Sequence, residues 1–152
     1  MTLTEHFTLE EFTTSATARS RSIDNTLICS NPQHARIIDN LKNLCTDVLE
    51  PLREHVRQPV LISSGYRSPE LNKAVGGARN SQHMLGEAAD IHIPDEETGR
   101  EWFRWIMDNV RFDQLIWEKA SAKSSRHWIH VSYRKGRCRQ TVVRNMVKTL
   151  TP

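Results

Sequence analysis

One long helical period followed by short strand-like runs is the feature that most constrains this chain. Ile37, Leu41, Leu44, Val48 and Leu52 recur at steps of three and four, the spacing of a helix that lays one face on a core. Asn31 followed by Pro32 supplies an N-cap and a first-turn proline, and Pro51 is expected to kink or break the helix near its end. Residues 60–63, 89–93, 112–117 and 128–133 then form short apolar or β-branched runs, with a second long helix over 96–109 that carries Trp102, Trp105 and Ile106 on one side. Helices and strands are mixed without a strict strand-helix-strand alternation. That pattern predicts an α+β domain with an antiparallel sheet flanked by helices.

Shorter signals fill the gaps. Thr8 and Glu11 have the spacing of a capping box ahead of Phe12. Residues 13–25 read as a loop, Ser68-Pro69 opens a short helix closed by Gly76-Gly77, and 119–126 is a Ser/Lys-rich connection. The 152 residues are the length of one domain, expected to span 1–152 with a core at about 6–134 and a basic extension at 135–152.

Composition excludes several classes. No apolar run is long enough to span a bilayer, and the N-terminus carries no export-signal pattern, so synthesis in the cytoplasm is the expectation. Cys29, Cys45 and Cys138 are an odd number without a C-x-x-C pair, which argues against a disulfide framework or a thiolate zinc site. After Glu118 the chain has no acidic residue but nine Lys or Arg side chains, from Lys119 to Lys148. Such a surface suits a polyanion, an anionic cell wall rather than nucleic acid, since no aromatic-interleaved motif accompanies the charges. A solvated basic face without a partner is the plainer reading.

The chemistry concentrates in Ser81-Gln82-His83-Met84-Leu85-Gly86-Glu87-Ala88-Ala89-Asp90. A loop histidine and a strand aspartate flank small residues that let backbones approach a buried site. Imidazole and carboxylate are both zinc ligands, and a catalytic zinc takes three protein ligands with water in the fourth position. His130 is the best third candidate, because strand alternation puts it on the face opposite Ile129 and Val131. His92, two residues past Asp90, shares that aspartate's face, and His127 lies three residues before His130; both compete for the place or stand behind the ligands. Spacing alone leaves ordinary hydrogen-bonded structure as the alternative.

The segment resembles the S-x-H-x-x-G-x-A-x-D signature of the D-alanyl-D-alanine carboxypeptidase family of zinc peptidases. The W-x-H strand at Trp128, the Gly65-Tyr66-Arg67-Ser68 loop and the run from Phe112 to Glu118 are similar to those of its bacterial and phage members, including endolysin peptidases; the hedgehog signalling domain is a relative. The resemblance extends over roughly residues 6–134. It implies His83, Asp90 and His130 as ligands of one Zn2+, an antiparallel sheet flanked by helices, and a peptidoglycan stem peptide as substrate, cut by a D,D-carboxypeptidase or an endopeptidase. A phage or prophage lysis enzyme, acting at the wall after release or carried on the virion, fits that expectation.

Hydrolysis also needs a proton shuttle. Many family members carry an acid three residues before the last histidine, where this chain has His127. Glu118, at the end of an apolar strand, is preferred over His127 as the base; the plain alternative is a surface ion pair with Lys119 or Lys123. Arg67 is expected to stabilise the oxyanion through its planar fork, or else simply to tie its loop. Ser81 is implied to orient the substrate, and Gln82 and Tyr66 are expected to line the cleft. The departure at His127 keeps a second reading open, a non-catalytic zinc-containing module that binds cell wall or protein.

Overall fold

The computed structural model describes residues 1–148; the last four residues of the expected basic extension lie outside the described residues. The order is α1 (Leu9–Thr13), α2 (Ala16–Ser20), α3 (Pro32–Leu44), α4 (Glu50–Val56), β1 (Ile62–Ser64), α5 (Pro69–Ala74), β2 (Ala88–His92), α6 (Glu96–Asn109), β3 (Gln114–Lys119), β4 (His127–Ser132) and β5 (Thr141–Val147). The strands form one sheet in the order β1-β2-β4-β3-β5. All neighbours are antiparallel except β3 and β5, which run parallel. The mixed α+β class is therefore as the sequence predicts, with one parallel edge added.

Local rules account for the helices. The Asn31 side chain accepts from the backbone N–H groups of Gln33 and His34 and starts α3. Glu11 Oε2 accepts from the Thr8 backbone N–H at 2.7 Å, closing the expected box before α1. Pro51 does not break the long helix. Instead Cys45–Leu49 forms one π-helical turn joining α3 to α4, and this wider turn accommodates a ring that cannot donate and would crowd the preceding carbonyls. Residues 13–25 are not all loop, since α2 lies within them, capped by Ser15.

Ile38, Leu41, Leu44, Val48, Leu49 and Leu52 are buried along this helix and face Ile91, Leu115, Ile129 and Val131 of the sheet, together with Trp102 and Ile106 of α6. One sheet face therefore makes the core. Period-2 alternation sends Asp90, His130 and Glu118 to the other face. The basic extension is partly strand: β5 pairs along β3 and covers what would have been the edge beyond Gln114–Lys119. No helix among the described residues is long and apolar enough to cross a membrane. Cys29, Cys45 and Cys138 are free thiols, and burial pushes that of Cys45 up.

Candidate metal centre

Sheet register brings two of the three expected residues together. Asp90 of β2 lies directly opposite His130 of β4, and Ile116 of β3 is the next cross-strand neighbour of His130. Side chains paired in this way share one face. His83 arrives from a 3-10 turn, Gln82–Leu85, and not from irregular loop: the Ser81 hydroxyl caps the turn by accepting the His83 N–H, and Gly86 ends it at φ +71°. A Cβ at Gly86 would stand 2.5 Å from the Ile37 carbonyl oxygen, so glycine there lets the turn lie against α3.

His83, Asp90 and His130 are all buried, and their ligand-capable atoms lie within 4.8 Å of one another. Asp90 Oδ1 is 3.0 Å from His130 Nδ1 and 3.4 Å from His83 Nε2. Tetrahedral zinc with ordinary bond lengths holds its ligand atoms about 3.3 Å apart, so this donor set of two nitrogens and one oxygen has the right chemistry and spacing. His83 Nδ1 lies 2.7 Å from the Gly65 carbonyl oxygen. A carbonyl only accepts, so Nδ1 carries the hydrogen and Nε2 turns its lone pair to the centre. Burial pushes the His83 pKa down, against the pull of Asp90, which favours the neutral imidazole a metal requires. Burial alone would raise Asp90, but the two imidazoles hold its carboxyl well below the usual range.

Arg67 is 7 % exposed and fixed from three sides. Nε donates to Ser64 Oγ, Nη1 to Asn72 Oδ1 at 3.3 Å and Nη2 to Asp90 Oδ2 at 3.4 Å. It therefore positions the aspartate's second oxygen and keeps one further N–H on each terminal nitrogen. Asn72 and Gly77, which sequence reasoning missed, complete this support. A Cβ on Gly77 would fall 2.0 Å from Asn72 Oδ1, so the Gly76-Gly77 pair closes α5 and also allows close approach to Arg67.

Glu118 Oε1 lies 3.8 Å from His130 Nδ1. Burial first, then the negative charge of Asp90, raises its pKa. Among the described residues it makes no ion pair with Lys119 or Lys123. His127 is turned away from this group: its ring stacks on Trp117 at 5.4 Å and its Nδ1 meets the Ser125 carbonyl. One residue of alternation from Trp128 and three from His130 puts it on the other face. His92 is exposed and borders a separate pocket with Asp95 and Ser125. Neither reaches the place expected of it beside His83, Asp90 and His130.

The group opens into a cleft of about 640 Å³ that Ser81, Gln82, Arg67 and Glu118 also line. Gln82 Nε2 donates to Asp113 Oδ2, and Asp113, fully buried, accepts from the Arg139 guanidinium at 2.8 and 2.9 Å. This clamp between the residue just before β3 and the extension was also missed. Tyr66 is buried and does not border this cleft.

A model of the family described as Peptidase M15 matches residues 5–132. The chain is also similar to the zinc D-Ala-D-Ala carboxypeptidase of Streptomyces albus G, 50% identical over 34 residues, which are 22% of this chain and 13% of that protein. It thus spans only a small part of that relative's length.

Proposed function

Because the chain belongs to the peptidase M15 family, we propose that it is a zinc-dependent peptidase whose substrate is the stem peptide of bacterial peptidoglycan. The observation that carries this reading is the convergence of His83 Nε2, Asp90 Oδ1 and His130 Nδ1 in one buried group. These three side chains would hold one zinc ion. When bound, zinc supplies Lewis-acid chemistry, acidifying water from a pKa of about 15.7 toward about 7 and polarising a carbonyl.

The other residues divide the remaining work. Glu118 takes the proton from the attacking water and returns it to the leaving amine, a role that suits a partly buried carboxylate whose proton affinity is raised. Arg67 holds Asp90 in place and presents its remaining N–H donors to the carbonyl on which negative charge develops. Ser81 steadies the turn that carries His83, while Gln82 borders the space where the peptide lies. A lysis enzyme of a phage or prophage would use such chemistry, and the cationic side chains from Lys119 to Lys148 suit an anionic wall.

Purified muropeptides digested with and without a chelator, and read by mass spectrometry, test the reading. Chelator-sensitive cleavage within the stem peptide is expected. Stable muropeptide binding without any cleavage would instead favour a zinc-containing binding module.

A further inference from the structure

Resting on that reading, we propose that Asp113 is a positioning residue for the substrate: it fixes the side-chain amide of Gln82 so that Oε1 faces the cleft and accepts a hydrogen bond from a backbone N–H of the bound peptide. The orientation of the amide follows from its partner. Asp113 is fully buried, and hydrogen bonds from Arg139 hold its carboxyl at about 2. At neutral pH it is therefore a carboxylate, which accepts and does not donate. The Gln82 atom 2.9 Å from Asp113 Oδ2 must then be the nitrogen. Oε1 is left as the other end of the amide. It has no donor among the described residues and is not a buried atom, and Gln82 lines the same cleft as Arg67, Glu118 and the three expected ligands.

Asp113 is built to hold this orientation. Its Oδ1 accepts from the Arg139 backbone N–H at 3.0 Å and from Nε at 2.8 Å, and its Oδ2 accepts from Arg139 Nη2 at 2.9 Å as well as from Gln82. Four donors occupy the four lone-pair sites of the carboxylate. The backbone is tied too: the Asp113 N–H donates to the Ser132 carbonyl at 2.8 Å, and the Asp113 carbonyl accepts from the Thr141 N–H at 2.9 Å. Asp113 therefore stands as a fixed post between the end of β4 and the start of β5, and Gln82 meets it from the turn that carries His83. The chemistry suits a peptide. An extended substrate offers backbone N–H groups, whereas the guanidinium groups of Arg67, Arg134 and Arg139 that border the cleft can only donate. The Asp90 carboxylate is already engaged by the two imidazoles and Arg67. A neutral oxygen held in place supplies an acceptor, and holding it in advance removes the entropy cost of ordering a free glutamine on binding.

The experiment uses the zinc-loaded full chain and a synthetic stem peptide, with analogues in which each backbone N–H outside the scissile bond is replaced in turn by an ester oxygen. One analogue should raise KM about tenfold with kcat within about twofold. Gln82→Ala should raise KM for the unmodified peptide by a similar factor and no longer distinguish that analogue from it. Asp113→Asn sets an amide that can donate opposite Gln82 and lets the glutamine turn over, so it too should lose the preference while keeping zinc and fold. If Asp113→Asn does not fold, Gln82→Glu, which cannot donate to Asp113, removes the same bond from the other side and should also lose the preference. A residue that only braced the turn would not set a preference for one N–H. Calorimetry on the metal-free proteins reads it without turnover: the parent chain should bind the peptide about tenfold tighter than the analogue, and the variants should bind both equally. A folded Asp113→Asn that keeps the preference, or that loses zinc, overturns the positioning role, and a parent chain indifferent to every ester overturns the acceptor role of Gln82. Absence of chelator-sensitive cleavage overturns the peptidase reading, and calorimetry then decides this proposal by itself; failure to bind any of the peptides overturns both.

Discussion

His83 donates its Nδ1 hydrogen to the carbonyl oxygen of Gly65 across 2.7 Å, and this bond leaves Nε2 facing Asp90. Gly65 has its own constraint, because a Cβ there would lie 2.6 Å from the Phe12 backbone. Gly65→Ala should therefore push the loop off α1, destabilise the fold by about 1–3 kcal/mol and weaken zinc binding by about 10- to 100-fold. Thermal unfolding and competition against a metal indicator would measure the two effects.

Glu118 is a test of chemistry separated from metal binding. Glu118→Gln keeps the shape and hydrogen-bonding capacity of the side chain but cannot take a proton. It should retain zinc and lower kcat by about 100- to 10,000-fold with a small change in KM. An unchanged kcat would remove Glu118 from the proton-transfer role. His127→Ala, by contrast, loses a ring stacked on Trp117 and its Nδ1 contact with the Ser125 carbonyl, both away from the metal centre, and should leave kcat within about twofold of the parent.

The Asp113–Arg139 pair ties the extension to the residue that leads into β3 and depends on pH. Hydrogen bonds from the Arg139 guanidinium hold the Asp113 carboxyl at about 2, below its ordinary 3.8. With the folded-state value depressed, the unfolded chain takes up the proton first as pH falls. The stabilisation is therefore full above about pH 4 and is lost between about pH 4 and about pH 2, and amounts to roughly 2 kcal/mol. Denaturant titrations at pH 6 and pH 3 should show that difference shrink in Asp113→Asn.

Gly77 tests the support of Arg67. Gly77→Ala drives a methyl group into Asn72 Oδ1 and should break the Asn72–Arg67 hydrogen bond. The expected result is a loss of about 1–3 kcal/mol in stability with reduced kcat. Asn72→Ala should reproduce the kinetic effect without the clash.

The sequence made some of these features legible and hid others for physical reasons. The helix Glu96–Asn109 was bounded correctly because its apolar period is long and Asp95 caps it. His83 and Asp90 stood out through motif resemblance, and strand alternation placed His130 on their side of the sheet. Helix α2 was hidden because a five-residue helix that buries only Ala18 leaves no period to read. Strand β5 was hidden because its apolar residues are half-buried at an edge and stand among basic ones. The roles of Asn72 and Gly77 depend on close approach between segments, which spacing along the chain does not encode. The π-helical turn before Pro51 is a similar case: the proline announces a disturbance but not its form.

Zinc content measured by elemental mass spectrometry on the purified chain and on His83→Ala, Asp90→Ala and His130→Ala tests the central claim most directly. One zinc per parent chain is expected, with loss from every variant while circular dichroism shows the fold retained. Zinc absent from the parent, or bound undiminished by the folded variants, would contradict a metal centre built from these three side chains.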